Sequence, residues 1–113
     1  MITEEDLAEQ FNVIIEHTHP RVWELIRHCY VKVITPQLKN KPLPNARYIG
    51  IYCPEKLITA IITQKNLLKE VAAYVGLVDV ACLNATNLMR DPMSQIKQNH
   101  PHLWLELLWV ISH

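Results

Sequence analysis

Proline placement constrains this chain more than any other feature. Seven prolines and only two glycines punctuate its 113 residues. Four X-Pro pairs, His19-Pro20, Cys53-Pro54, Asp91-Pro92 and His100-Pro101, each stand just ahead of an apolar-periodic stretch. Proline is tolerated at the first helical position, because the N–H there has no intrahelical partner. The four pairs therefore predict helix starts, and the chain reads as a succession of short helices.

A first helix is expected from Thr3, whose hydroxyl can cap free amides while Glu4, Glu5 and Asp6 sit at the positive end of the dipole. Leu7, Phe11, Ile14 and Ile15 then form one stripe at helical spacing. From Pro20, the residues Val22, Trp23, Ile26, Cys29, Tyr30, Val33 and Ile34 keep a three-four alternation. "YVKVIT" alone would pass for a strand, but the longer register predicts a helix through Ile34. Residues 35–45, "TPQLKNKPLPN", read as an extended loop.

"ARYIGIYC" (46–53) is the one strand-like segment, and no second segment offers itself as a partner. A lone strand cannot satisfy its own backbone, so an irregular packed segment is favoured over pairing with another subunit. Helices are expected over 54–65, 67–75, 79–90, 92–99 and 101–111, with Gly76 as a left-handed cap and Asp79 opening the next helix. "HPRVW" (19–23) and "HPHLW" (100–104) echo one another as two similar helix starts. The predicted fold is one all-α domain over 1–113, a small bundle of about five to seven helices with one irregular or short-strand insert near 46–53.

Composition narrows the function classes. Half the residues (50%) are apolar, slightly rich for one domain of this size. The surplus predicts either wide apolar helix faces or burial against a second chain. Eleven acids balance eleven bases, so no global field argues for nucleic acid or membrane. Cys29, Cys53 and Cys82 are odd in number and lack CxxC spacing, which fits reduced thiols in a cytoplasmic protein. The acidic start "MITEEDLAEQ" lacks a signal peptide's layout, and no apolar run approaches about 18 residues, so no membrane span is expected.

"LLKEVAAYVGLVDVACLNATNLMR" (67–90) has the cadence of a helix-turn-helix. Within it, "AAYVGLVD" (72–79) is similar over eight residues to the helix-turn-helix of AraC-type regulators, often Ala-x-x-Val-Gly-Phe/Leu-x-Asp. The resemblance implies DNA reading, with Asn84 and Asn87 offered to adenine edges and Thr86 to a phosphate or a thymine methyl. The basic-aromatic tail of those proteins is "NATNLMRDPM" here, and Lys69 and Arg90 are cancelled by Glu70 and Asp79. Phosphate contacts supply most of the affinity in such complexes, so a borrowed shape is the preferred reading.

Charge is uneven along the chain. Residues 1–20 carry five acids and no base, whereas 21–69 carry nine bases against Glu24 and Glu55. The densest basic stretch holds Lys32, Lys39, Lys41 and Arg47, with Tyr48 and Tyr52 just after it. Such interleaving can serve single-stranded nucleic acid or an acidic protein. Simple neutralisation of the acidic first helix by the basic second one is the plainer account.

Chemistry of sites is sparse. The six histidines include His17/His19 and His100/His102, which lack the spacing of zinc sites, so no metal is expected. The two serines sit in no nucleophile elbow, two isolated glycines build no phosphate loop, and Cys29 falls in an apolar stripe. Glu106 is expected at the water-facing edge of the last helix. Neither an enzyme nor a cofactor is expected.

What remains is a small cytoplasmic helical adaptor or regulatory module that binds another protein and forms a homodimer. Its partner-binding residues would be Lys39, Lys41, Arg47 and Tyr48 around the basic loop, and Trp104, Leu108 and Trp109 on the very apolar last helix. The alternative is a nucleic-acid-binding regulator using the 67–90 unit or the basic 32–52 region.

Overall fold

A three-stranded sheet runs through the middle of the protein, in place of helices the sequence predicts. The computed structural model describes residues 2–91 and 93–112. Strands β1 (Tyr30–Ile34), β4 (Tyr48–Cys53) and β5 (Val80–Asn84) form it in the order β1-β4-β5. β1 lies antiparallel to β4, with Lys32 opposite Gly50, and β5 lies parallel to β4, with Cys82 beside Ile51. The loop between β1 and β4 carries a small hairpin of β2 (Gln37–Leu38) and β3 (Lys41–Pro42).

The all-α expectation is therefore wrong, and its errors share one cause. The helix predicted through Ile34 ends at Ile26 as α2 (Pro20–Ile26), and Tyr30–Ile34 becomes β1. The helix predicted over 79–90 is β5 followed by a short α5 (Ala85–Arg90). Segment 46–53, read as irregular and partnerless, holds the central strand. A run that is apolar on both faces satisfies helical and strand spacing alike, and only pairing with a distant strand decides.

Helices cover both faces of the sheet. α1 (Glu4–Thr18), α2, α3 (Glu55–Thr63) and α4 (Lys65–Tyr74) pack on one side, against Val33, Ile49, Ile51, Cys53 and Val80. Alternation along the strands turns Tyr30, Tyr52 and Leu83 to the other side. There they meet α5 and α7 (Pro101–Ser112) through Ala85, Leu107 and Val110. α6 (Ile96–Asn99) is one turn leading into α7.

The caps follow local sequence. Thr3 and Asp6 close a reciprocal capping box at the start of α1. α4 ends in a Schellman motif: Leu77 N–H donates to Ala72 O (2.9 Å), Gly76 N–H donates to Ala73 O (3.0 Å), and Gly76 takes φ +90°. Proline opens α2 and α7, and Pro54 precedes α3. Pro92 lies outside the described residues, and the next helix begins only at Ile96. Asp79 opens no helix; its carboxylate accepts from Val80 N–H (2.7 Å) ahead of β5. Among the described residues, no helix is long and apolar enough to cross a membrane.

Candidate protein interfaces

Three regions carry the residues that sequence singled out. The outer face of α7 is the first. Leu107 and Val110 are buried against the sheet, which leaves Leu105, Leu108 and Trp109 on the outside, 57%, 37% and 46% exposed. These positions are three and four apart, so they line one stripe about a turn long. Trp104 is half-buried, and the Lys97 ammonium lies 5.0 Å from its ring centroid. Glu106 is half-buried at the helix edge, 3.7 Å from His102 Nε2.

The second region is the basic side. Lys39 and Asn40 form the two-residue turn of the β2–β3 hairpin, both at positive φ (53° and 64°). That is the backbone of a type I′ turn, which matches strand twist and usually recruits Asn or Gly. It holds Lys39 and Lys41 out in solvent. Arg47 is instead half-buried and engaged: its Nε donates to Thr35 Oγ1 (3.0 Å), and that hydroxyl donates to Glu4 Oε2 (2.8 Å). This chain ties the start of β4, the end of β1 and the first turn of α1 together. Tyr48 is half-buried at the head of β4, opposite Ile34. Lys32, Arg47 and His100 share a cavity of about 540 Å³ with Glu4, Thr35 and Gln37.

The third region, 67–90, does not form a helix-turn-helix. The would-be recognition helix begins as β5, inside the sheet. Asn84 caps α5, accepting from Asn87 N–H (3.0 Å). Thr86 is buried, and its hydroxyl accepts from Glu55 N–H (3.2 Å), doing for α3 what Pro54 at its cap cannot. Of the three side chains offered to DNA by sequence, only Asn87 is exposed.

The thiols gather beneath the first layer of helices. Cys29 and Cys53 are buried, and Cys82 is half-buried. The neighbouring Cys29 thiol and burial push the Cys53 thiol far above its ordinary range, and burial pushes Cys82 up as well. Groups held this way are poor nucleophiles. Tyr30 and Tyr52 rings lie 6.0 Å apart on the other face, and burial raises both phenols. Among the described residues no three His, Cys, Asp or Glu side chains are placed to hold a metal ion. His113 lies outside the described residues.

Sequence reasoning missed Leu105 on the exposed stripe of α7 and His100 in the basic cavity. A helix apolar on every side does not announce which side faces out. Compared with protein-family models, curated proteins and solved structures, the chain matches none.

Proposed function

We propose that the protein is a cytoplasmic protein-interaction module that self-associates through the outer face of α7. The supporting observation is the Leu105–Leu108–Trp109 stripe, three large apolar side chains that stay partly exposed on one helix. Burying such side chains contributes about 1.5–3 kcal/mol each when complete. A two-fold axis beside Leu108 would set two antiparallel α7 helices together, with Leu105 of each near Trp109 of the other. Isologous contacts of this kind are the commonest way for a chain to associate with itself.

Surface area agrees with this reading. The chain exposes 7513 Å², against roughly 6,400 Å² for a compact monomer of this size. The surplus is comparable to the about 800 Å² per partner of a standard interface. Three cysteines standing as thiols support the cytoplasmic assignment.

The nucleic-acid alternative now rests on the basic side alone, because the helix-turn-helix it also invoked is not formed. Light scattering on the purified protein tests the main reading. Leu108→Glu is expected to convert a dimer to a monomer with far-UV dichroism unchanged. A wild-type protein that is monomeric at high micromolar concentration would overturn it. Retention on nucleic acid that Lys39→Glu/Lys41→Glu abolishes would favour the alternative.

A further inference from the structure

β1 is an edge strand, and the direction of its unused hydrogen-bonding groups follows from one bond. Ile49 N–H donates to Asp79 O (3.0 Å), so Ile49 turns its backbone groups toward β5. Sides alternate along a strand, so Tyr48, Gly50 and Tyr52 turn theirs toward β1. Their register partners Ile34, Lys32 and Tyr30 therefore face β4. Val31 and Val33 then present N–H and C=O outward, and no backbone or side-chain group among the described residues bonds them.

Space lies beside those groups. Two cavities of about 210 and 540 Å³ adjoin the edge and share Glu4, Lys32 and Val33. Glu4, Glu5 and Ala8 of α1 stand on one side, and His100 and His102 at the start of α7 stand on the other. Glu4 is already engaged by the Thr35 hydroxyl (2.8 Å).

We propose that the free edge of β1 takes up an extended segment of a partner protein as a fourth strand, with an Asp or Glu opposite Lys32 and apolar residues on either side of it. Main-chain bonds to Val31 and Val33 supply affinity, and the alternate side chains supply selectivity. On the α1 side, the flanking apolar residues pack against Ala8, Val31 and Val33. On the α7 side, the acid meets Lys32 with His100 and His102 nearby. A second copy of β1 fits badly: Lys32 is the middle residue of the strand, so antiparallel self-pairing in full register sets two lysines face to face.

This goes beyond self-association through α7 and fails separately from it. The test is an amide NMR titration with a nine-residue peptide of alternating Val and Thr bearing a central Glu, and the same peptide with a central Lys. The Val31 and Val33 amides should shift and gain exchange protection with the Glu peptide. Lys32→Glu, at an exposed position, should weaken that peptide by roughly tenfold and strengthen the Lys peptide. Leu108→Glu should leave both affinities unchanged. Equal binding of the two peptides, shifts confined to other surfaces, or Val31 and Val33 amides already slow to exchange in the free protein would overturn the proposal.

Discussion

The two faces of the sheet are built to different standards. Under α1–α4, fifteen buried side chains form one cluster, from Phe11 and Ile15 to Leu68 and Val80. Under α5–α7 the cluster has four, Tyr52, Ala85, Leu107 and Val110, with half-exposed side chains around them. The first face is thick, although Val13, Ile62 and Tyr74 on its helices face outward. The second is thin, and the helix covering it carries its own apolar stripe outward. A small domain cannot bury everything its sequence makes apolar: three exposed large apolar side chains share α7, and others, such as Val13, Ile62, Tyr74 and Val78, stand elsewhere on the surface.

Truncating one buried side chain in each layer tests this contrast most strongly. Phe11→Ala is expected to cost about 3–5 kcal/mol in urea unfolding, enough to threaten the fold. Leu107→Ala, with fewer packed neighbours to leave a rigid void, should cost about 2–3 kcal/mol and leave the first face cooperative. Equal losses would show the layers to be one core.

Thr86→Val should cost about 1–2 kcal/mol, because the Glu55 N–H at the start of α3 loses its acceptor. Amide exchange at Glu55 would report the loss directly. Lys39→Gly should stabilise by about 0.5–1 kcal/mol, since it relieves a left-handed lysine in the hairpin turn.

The smallest effect is expected from Asp79. The Val80 N–H, and then Lys69, hold its carboxyl below the usual carboxylate range. Its contribution is therefore present above the ordinary carboxylate pKa and is lost as pH falls through the lowered value. Asp79→Asn should therefore lower stability slightly in the neutral range and flatten the acid limb of a stability–pH profile, the two proteins converging at low pH.

How legible the protein is in its sequence depends on how local each device is. The Thr3 cap, the prolines opening α2 and α7 and the glycine ending α4 are set by neighbours within a few residues, and all read correctly. β1 and β5 did not, because "YVKVI" and "VACLN" continue the three-four pattern of their surroundings. Their identity as strands is settled by β4, far away in the chain. The hairpin turn was hidden for another reason: Lys39 and Asn40 adopt left-handed backbone without a glycine. Among the interface residues, the lysines were legible as exposed, but the hydrogen bond that holds Arg47 half-buried against Thr35 was not.

The central strand also has one near neighbour in sequence and one distant one. β1 reaches β4 across the loop 35–47, whereas β5 reaches it only after α3 and α4 have been laid down. Closing the longer connection costs more chain entropy before any pairing repays it. The β1–β4 ribbon is therefore expected to form early in folding and β5 to dock late. Conservative truncations in β1 should slow refolding, while those in β5 should mainly hasten unfolding. The parallel edge of this mixed sheet is then the last part of it to form and the first to let go.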